Sequence, residues 1–394
     1  MGWHRRLYLG RDLQRAVSIA DLRARAMRRV PGFVFEYVEG GSDDEFALRH
    51  NRDAFDAWQF VPATLVNTAH RHQRVTLFGK ELASPLIVGP TGGNGVLQPN
   101  GDRSLARAAA AAGLPFCVST MAAIPLEELP TAAGGRLWMQ LYVTHNRQSA
   151  EDIVARADAA GYEALVFTTD ANVFGQREWD RRNYARPGMP TWRNRLSMLR
   201  HPRWAWEVLL RDGAPQLANL APFLPPGSAS AIGGSTVIPK LFSARITWED
   251  VAWLRRLWPR RLIIKGVLSV ADAQRAADCG CDGIVLTNHG GRQMDHCVSG
   301  MDVLPQIAQA VGARLTVIVD GGIRRGTDVI KAMALGADAV MLGRAPLYGL
   351  AAGGEPGVRR ALEILTSEID RALGHLGCNS MSELGPAMLR RRAL

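Results

Sequence analysis

The sequence lacks several features that would otherwise direct its interpretation. No apolar run approaches the roughly 20 residues that a membrane-spanning helix needs. The basic amino-terminal stretch is followed by no apolar segment of the kind found in secretory signals, so we expect a cytoplasmic protein. Cysteine is scarce, with five residues in 394, and the cysteines show no metal-ligand spacing. We therefore expect reduced thiols rather than disulfides, and no metal site.

Acidic residues are also in short supply. The 37 Asp and Glu are outnumbered by 47 Lys and Arg, which gives a formal net charge of +10. Such an excess is compatible with nucleic acid, an anionic membrane surface or simple solubility. The excess is local, because residues 171–245 hold ten Arg and one Lys against four Asp or Glu. A nucleic-acid-binding protein, whose arginines should line one groove, is the less favoured alternative, and we expect no nucleic acid as a partner.

A regular alternation of apolar runs and helical patterns begins at residue 85. Continuous apolar runs are typical of buried parallel strands, and their alternation with helices indicates a parallel sheet. Eight such units predict an α/β fold of the (β/α)8, or TIM, barrel type, whereas a doubly wound sheet more typically has about five or six strands. The predicted strands are 85–90, 115–119, 137–142, 164–170, 262–266, 283–288, 315–320 and 339–344.

The other segments are arranged around this barrel, and we interpret the whole chain as one domain. Residues 1–84 form an N-terminal extension, with a helical pattern near 18–30 and irregular sequence after it. The barrel occupies 85–345, and closing helices occupy 346–394. Residues 171–245 are a long insertion after the fourth strand. A connection of this length is functional, disordered or a small subdomain.

Polar residues concentrate where the predicted strands end. Active sites of TIM barrels lie at the carboxyl ends of the strands, so residues far apart in sequence converge in space. The residues at these ends are Thr168, Asp170, Lys265, Asn288, His289, Asp320 and Arg344. A lysine at the end of an apolar strand can stabilise a developing anion in the barrel mouth, or it can pair structurally with a carboxylate.

Two glycine-containing turns follow the seventh and eighth strands. They are "DGGIRRG" (320–326) and "LGR" (342–344). Barrels frequently bind phosphate at these two positions, where glycine lets the backbone approach the ligand. Arg324 and Arg344 can add positive charge. Ordinary turns with surface arginines are the alternative, but the pair at the correct two strands favours a phosphate site.

The stretch "LTNHGGRQMD" (286–295) combines a proton carrier with a guanidinium. His289 can titrate near neutral pH, and Arg292 can bind a carboxylate through two parallel hydrogen bonds. The two glycines between them permit a tight turn. A base beside a carboxylate-binding group suits removal of a proton from a small hydroxy acid. A loop histidine beside a solvated arginine is the alternative from these residues alone.

This stretch is similar to a signature of the FMN-dependent α-hydroxy acid oxidase and dehydrogenase family, which includes glycolate oxidase, lactate oxidase and mandelate dehydrogenase. Within the family, "PTGGNG" and "GDRSLARAAAAAGLPFCVST" most resemble the members that act on mandelate. The resemblance covers nearly all of the chain and implies FMN as cofactor. Its further blocks are "FEYVEGGSDDEFALRHNRDAF" (35–55), "GPTGGNG" (89–95), "QLYV" (140–143), "TTD" (168–170), "GQREWD" (175–180), "IIKG" (263–266) and "DGGIRRGTDVIKAMALGADAVMLGR" (320–344).

The resemblance also implies roles for residues at the substrate. His289 would be the catalytic base, and Asp170 would orient it and support it electrostatically. Arg177 and Arg292 would bind the substrate carboxylate. Two further residues would hydrogen-bond the substrate, Tyr37 and Tyr142.

A second set of residues would hold the cofactor, again by resemblance. Lys265 would face the N1 side of the flavin and stabilise the reduced, anionic flavin. The residues that would hold the isoalloxazine ring are Pro90, Thr91, Gly92, Ser119, Gln140 and Thr168. Those that would hold the ribityl phosphate end are Asp320, Gly321, Gly322, Arg324, Gly343 and Arg344.

The activity implied by the family is FMN-dependent oxidation of an (S)-2-hydroxy acid to the 2-oxo acid. We favour a mandelate-like substrate and a quinone as electron acceptor. The alternatives are a soluble oxidase that uses oxygen, and an L-lactate dehydrogenase. A different phosphate-binding barrel, such as a nucleotide dehydrogenase, is a further alternative. A thiol-dependent enzyme of that kind would need a mobile cysteine at the barrel mouth, and between strands six and seven only Cys297 is available.

The inserted stretch 186–245 favours peripheral contact with a membrane. Its sequence "TWRNRLSMLRHPRWAWEVLLRDG" places Trp and Leu among five Arg, a composition suited to a helix in a bilayer interface. We expect Pro202 to divide it into two short helices. A lid over the barrel mouth or an oligomer contact is the alternative. We favour a protein on the inner face of the membrane and, from the family resemblance, a homo-oligomer, often a tetramer.

Overall fold

Eight parallel strands close into a barrel in the computed structural model, which confirms the predicted fold. The strands pair in chain order, and the eighth pairs with the first through Met341 and Ile87. The structure describes residues 8, 11–186, 189–211, 213–224, 229–232 and 241–392. The barrel strands are Leu86–Val88, Phe116–Ser119, Leu137–Leu141, Ala164–Thr168, Arg261–Val267, Gly283–Leu286, Thr316–Asp320 and Ala339–Leu342.

The interior of the barrel is filled and sealed at its amino-terminal end. The strands read as continuous apolar runs because both of their faces are covered, by helices outside and by side chains inside. Below the site lies a layer that includes Trp138, Ile263 and Ile318, all fully buried. An antiparallel hairpin, Val75–Leu77 and Lys80–Leu82, packs beneath this layer. The barrel is therefore open to ligands at its carboxyl end.

Helices surround the barrel and join successive strands. Some of them begin with a side-chain cap that satisfies free backbone N–H groups; Ser299, for example, forms a reciprocal capping box with Asp302. The last helix contains a break at Gly353 and Gly354, where the backbone is not helical. The helices are Asn94–Leu97, Gly101–Ala111, Glu128–Ala133, Arg147–Ala159, Trp248–Leu257, Val270–Asp278, Gly300–Val311, Gly326–Ala334 and Arg344–Leu376.

The N-terminal extension is more helical than the sequence predicts. The helix Ile19–Arg29 lies in the predicted place, and Ser18 caps it. The region after it, predicted to be irregular, contains two further helices, Gly32–Glu39 and Phe46–Asp56. Neither helix begins with a side-chain N-cap, whereas Ile19–Arg29 does, so the sequence lacks the signal that marks a helix start. These two helices carry residues to the barrel mouth.

The end of the chain also differs from the prediction of closing helices throughout. After Leu376 the chain forms the short 3-10 turns Met381–Glu383 and Pro386–Met388, and then a strand, Leu389–Arg391. This strand pairs antiparallel with Trp58–Phe60 from the N-terminal extension. A three-residue strand has too little periodicity to be recognised from sequence. Its pairing partner also lies more than 300 residues away, so no neighbouring residues indicate the pairing.

The inserted segment carries short helices on the surface beside the barrel mouth. Pro202 begins a new helix, as predicted from the sequence. Trp204 anchors the segment, since its indole N–H donates to the carbonyl of Val96 at 2.8 Å. Parts of 186–245 lie outside the described residues, namely 187–188, 212, 225–228 and 233–240. The described elements between strands four and five, before helix Trp248–Leu257, are Glu178–Arg182, Tyr184–Arg186, Met189–Pro190, Trp192–Leu199, Pro202–Ala205, the π-helix Trp206–Leu210 and the 3-10 turn Ala221–Phe223.

Candidate active site

A large cavity opens at the carboxyl end of the barrel. Its volume is about 1180 Å³, including the open mouth, which suits a nucleotide cofactor together with a small substrate. Three of the predicted site residues do not line it: Asp170, Gln140 and Thr168 lie directly behind residues that do. The predicted residues that line it are Tyr37, Pro90, Thr91, Gly92, Ser119, Tyr142, Arg177, Lys265, His289, Arg292, Asp320, Gly321, Gly322, Arg324, Gly343 and Arg344.

His289 and Asp170 form a hydrogen-bonded pair at the edge of this cavity. The Nδ1 atom of His289 lies 2.9 Å from Oδ1 of Asp170, and Nε2 lies 3.3 Å from the hydroxyl of Tyr142. Burial alone would raise the pKa of Asp170, but the charges of His289 and Lys265 outweigh it and hold that pKa below its usual value. An ionised carboxylate only accepts hydrogen bonds, so Nδ1 is the donor and Nε2 keeps its lone pair.

The protonation state of His289 follows from its surroundings. Burial lowers the pKa of His289 from its ordinary value of 6.5, the negative charge of Asp170 opposes this shift, and Lys265 adds to it. The imidazole is therefore neutral near pH 7. A neutral imidazole whose unprotonated Nε2 accepts a long hydrogen bond from the hydroxyl of Tyr142 can instead accept a proton from a bound substrate.

The loop that carries His289 is held in a left-handed conformation. Three successive residues, His289, Gly290 and Gly291, have φ of 60°, 66° and 74°. A side chain at Gly291 would lie 2.5 Å from the backbone nitrogen of Leu48, so only glycine fits there. Arg344 fixes the loop from the other side, because its guanidinium donates to the carbonyl of Gly290 at 2.8 Å. Such a strained backbone persists only where its surroundings fix it, and here it directs His289 into the cavity.

Two arginines lie together in the same part of the cavity. Arg177 is buried and donates to the carbonyl of Arg292 at 3.3 Å. Burial, together with repulsion from Arg292, lowers the pKa of Arg177 to about 9. No carboxylate lies within ion-pair distance of either guanidinium among the described residues. Two adjacent cations without a paired anion can bind a carboxylate, whose charge would relieve their repulsion.

Asp180 is a nearby buried acid that the sequence reasoning did not select. It is one helical turn after Arg177, and its Oδ2 accepts no hydrogen bond from any described residue. Burial raises the pKa of Asp180, while the charges of Arg292 and Arg177 oppose the rise. The signal available in the sequence was an acid three residues after a predicted ligand-binding arginine.

Lys265 lies at the base of the cavity beside a carboxylate. It is buried, and its Nζ is 3.5 Å from Oδ2 of Asp320. The same carboxylate oxygen accepts a hydrogen bond from Thr287 at 3.0 Å, and the hydroxyl of Thr287 accepts from the backbone N–H of His289 at 2.9 Å. A continuous polar network therefore connects Lys265 with the loop that carries His289, so the two are positioned together.

The cavity fits a flavin nucleotide between these groups and the turns after strands seven and eight. Ser119, Gln140 and Thr168 form a chain of hydrogen bonds, of 3.2 and 3.0 Å, beneath the cavity. Gly92 permits the close approach of the first βα loop, since a side chain there would lie 2.7 Å from Cβ of Met121. The carbonyl of Gly92 accepts a hydrogen bond from Tyr37 at 3.0 Å. Polar side chains beneath the cavity suit the edge of an aromatic ring system.

The other end of the cavity suits a phosphate. Gly321 and Gly322 have φ of 108° and 79°, and a side chain on Gly322 would lie 2.0 Å from the carbonyl oxygen of Asn51. Glycine is therefore required at this turn, where the backbone lines the cavity. Arg324 and Arg344 line this end and supply positive charge. Arg344 also donates to the carbonyls of Val38, Gly40 and Gly290 in addition to lining the site.

The apolar side of the cavity contains residues that the sequence reasoning missed. They are Phe174, Leu217, Ala231 and Phe242. For two of them, Phe174 and Phe242, the only signal was aromatic character inside the long insertion, and for the others there was none. Among the described residues no group of three or more His, Cys, Asp and Glu could hold a metal ion.

A TIM barrel with a buried histidine, a pair of arginines and a large cavity at its carboxyl end is the arrangement expected of a flavin-dependent oxidoreductase. The chain belongs to the family of FMN-dependent dehydrogenases, whose pattern matches residues 26–391. It is 43% identical to (S)-mandelate dehydrogenase of Pseudomonas putida over 378 residues, which cover 96% of this chain and 94% of the relative. It is 39% identical to an L-lactate dehydrogenase of Caulobacter sp. (strain K31) over 379 residues, or 94% and 98% of the two chains.

A solved structure shows the same architecture. The crystal structure of the monotopic membrane protein (S)-mandelate dehydrogenase matches with a TM-score of 0.91 at 43% identity, covering 96% of this chain and 100% of that one. These findings confirm the predicted family, the predicted FMN cofactor and the predicted class of enzyme, an FMN-dependent hydroxy acid dehydrogenase. In this chain no helix among the described residues is long and apolar enough to cross a membrane.

Proposed function

We propose that the chain oxidises an (S)-2-hydroxy acid of mandelate type to the 2-oxo acid and passes the electrons to a quinone. The observation that carries this proposal is the neutral, Asp170-supported His289 facing the same cavity as the paired Arg177 and Arg292. Its relatives support it, since they include an (S)-mandelate dehydrogenase at 43% identity.

The residues of the site would act on the substrate in a defined order. Arg177 and Arg292 bind the carboxylate and orient the 2-carbon and its hydroxyl toward His289. Nε2 of His289 accepts a proton from the substrate, and Asp170 stabilises the imidazolium that forms. Tyr142, whose hydroxyl is 3.3 Å from that nitrogen, hydrogen-bonds the substrate oxygen, and Tyr37 assists it.

FMN, when bound, would accept the two electrons of this oxidation together with the second hydrogen that the substrate loses. Lys265 would lie against it and, as a buried cation, favour negative charge on its neighbour. The ring would be held by Pro90, Thr91, Gly92, Ser119, Gln140 and Thr168. The phosphate end would be held by Asp320, Gly321, Gly322, Arg324, Gly343 and Arg344.

A spectroscopic experiment tests the activity directly. The purified protein should be yellow, and a panel of (S)-2-hydroxy acids added without an electron acceptor should bleach the flavin. Among these acids, one that bears a phenyl group should have a higher kcat/KM than lactate. Failure of every acid to bleach a bound flavin would contradict the proposed reaction.

An L-lactate dehydrogenase is the second candidate, supported by relatives of that activity at 39% identity. The same panel separates the two, because a kcat/KM for lactate at least tenfold above that for the phenyl-bearing acid would favour lactate. Competition between oxygen and a soluble quinone then identifies the electron acceptor. A preference for oxygen would instead indicate a soluble oxidase.

Peripheral contact with the inner face of a membrane is part of the proposal. On the helix Trp192–Leu199, three apolar side chains at one-turn spacing are exposed: Trp192, Leu196 and Leu199. Trp206 and Leu210, four residues apart, are also exposed, and Trp206 is 60% accessible. Exposed apolar side chains among arginines suit a bilayer interface. A membrane-bound enzyme also has access to quinone, which resides in the bilayer.

Vesicle binding tests the contact. The whole chain should co-sediment with anionic liposomes at low salt, whereas a chain with 190–235 replaced by a short linker should stay in the supernatant. Equal behaviour of the two would assign the segment to a lid or an oligomer contact.

We also propose that the chain is one catalytic domain with the boundaries given above, in a cytoplasmic homo-oligomer such as a tetramer. Light scattering of the purified enzyme tests the oligomeric state.

A further inference from the structure

The inserted segment returns to the barrel at a fixed point beside the part of the cavity that contains Tyr142 and His289, here called the substrate end. The backbone N–H of His145 donates to the carbonyl of Leu241 at 2.9 Å, and that of Ser243 donates to the carbonyl of Val143 at 3.2 Å. These bonds form an antiparallel bridge between Phe242 and Thr144, just after the third barrel strand. Backbone pairing therefore sets the position of Phe242, not side-chain packing alone.

The side chain of Phe242 belongs to an aromatic wall of the cavity. It is only 4% exposed, and its ring centroid is 4.5 Å from that of Tyr142, with 35° between the ring planes. On the other side, the ring of Phe174 lies 6.1 Å away at 29°. Leu217 and Ala231 extend the same apolar lining. All of these residues except Tyr142 come from the segment between strands four and five.

This wall adjoins the groups that would bind and deprotonate the substrate. The guanidinium carbon of Arg177 lies 4.3 Å from the ring centroid of Phe174. The hydroxyl of Tyr142 lies 3.3 Å from Nε2 of His289. A 2-hydroxy acid held by its carboxylate and hydroxyl must direct its remaining substituent to another side of the cavity. The apolar side available there is the one that Phe242 and Phe174 form.

We propose that Phe242 is a specificity-determining residue that recognises an aryl substituent on the 2-carbon of the acid. The inference rests on the proposed oxidation of a 2-hydroxy acid. An aromatic ring against Phe242 gains both apolar burial and ring–ring contact, whereas the methyl group of lactate gains little of either. The inserted segment thus contributes to substrate choice as well as to the protein surface.

The test is a graded series at Phe242 with paired substrates. Phe242→Leu keeps an apolar side chain without a ring, and Phe242→Ala removes it. The ratio of kcat/KM for the phenyl-bearing acid to that for lactate should fall roughly tenfold in Phe242→Ala and less in Phe242→Leu. Phe242→Tyr, which keeps the ring, should preserve the ratio within about twofold.

A matched control and a binding measurement distinguish the possible failures. Phe223→Ala, the same change in the same segment but outside the cavity, should leave the ratio unchanged. Equal losses for both acids in Phe242→Ala would overturn the inference and assign Phe242 to positioning Tyr142. If the wild-type enzyme oxidises none of the acids, the proposed function fails. In that case, calorimetry can measure the binding of the phenyl-bearing 2-oxo acid and of pyruvate to the wild-type protein and to Phe242→Ala. The preference for the phenyl-bearing acid should be weaker in Phe242→Ala, and an unchanged preference would overturn the inference.

Discussion

The two ends of the cavity are built in different ways. The phosphate end is formed by turns of the barrel itself, where Gly321 and Gly322 adopt positive φ and Asn51 packs against them at close range. The substrate end is assembled from separate regions: Tyr37 comes from the N-terminal extension, and Phe174 and Phe242 from the segment between strands four and five. On the proposed function, the barrel itself would hold the cofactor, whereas the additions to the barrel would select the acid that is oxidised.

The largest effect is expected from replacing His289 at the substrate end, which should greatly slow catalysis and leave cofactor binding at the phosphate end intact. His289→Ala or His289→Gln should lower turnover by roughly 10²–10⁴-fold, because base catalysis is lost. The flavin spectrum of the purified variant should persist, since the phosphate end is unchanged. Stopped-flow bleaching measures the first effect and flavin content measures the second. Near-normal turnover in these variants would remove His289 from its role.

The next effect concerns the two arginines at the substrate end. Arg292→Ala should lower kcat/KM by roughly 10- to 100-fold, because hydrogen bonds to a charged carboxylate contribute about 1.5–3 kcal/mol. Arg292→Lys keeps the charge but not the planar pair of donors, so it should recover only part of the loss. Arg181→Ala, an exposed arginine on the nearby helix, is the control. A loss confined to flavin content, with normal kcat/KM per bound flavin, would place Arg292 at the other end.

A smaller effect is expected from Gly322→Ala, which should disrupt the phosphate end of the cavity and leave the residues at the substrate end unchanged. In Gly322→Ala the new methyl group would meet the carbonyl of Asn51, which should destabilise the fold by about 1–3 kcal/mol. Flavin occupancy should fall while the residual loaded enzyme keeps its preference among acids. Gly385→Ala, where a side chain would meet nothing within 4 Å, is the control for thermal unfolding. A normal Tm and flavin content in Gly322→Ala would refute the close packing.

The smallest effect is a shift in pH dependence. His289 must be neutral to act as a base, so kcat/KM should fall as pH drops through its pKa, which burial holds below 6.5. Asp170 raises that pKa, so Asp170→Asn should move the acid limb to lower pH, with slower turnover. Lys265 lowers it, so Lys265→Met should move the limb to higher pH. Shifts of the acid limb in the same direction for both variants would contradict the assignment of that limb to His289.

The difference between the two ends also explains what the sequence could predict. The eight strands, the turns after strands seven and eight, and the stretch from His289 to Arg292 each have a local signature, because turn chemistry and continuous burial depend on neighbouring residues. Phe242 has no such signature. Its place depends on an antiparallel bridge to Thr144, almost 100 residues earlier, and on rings that meet only after folding.

The same reasoning applies to Asp180 and to the short helices of the N-terminal extension. Asp180 matters through its charge beside Arg177 and Arg292, and the sequence shows only one of these two neighbours close to it. The helix Phe46–Asp56 is placed by its contacts with the catalytic loop, such as the 2.8 Å hydrogen bond from Asn51 to Asn288. Contacts across such separations carry no periodic pattern that could be recognised in advance.

The hairpin Val75–Leu82 under the barrel has a kinetic consequence. With that end closed by Leu77, Leu82 and the layer containing Trp138, the acid, its oxidised product and the electron acceptor would all reach the site from the carboxyl end of the barrel. We expect the acid and the acceptor to use the space in front of His289 in turn. The 2-oxo acid would then leave before the acceptor arrives. Steady-state rates measured at several acceptor concentrations should then give parallel lines in double-reciprocal plots, the pattern of a ping-pong enzyme.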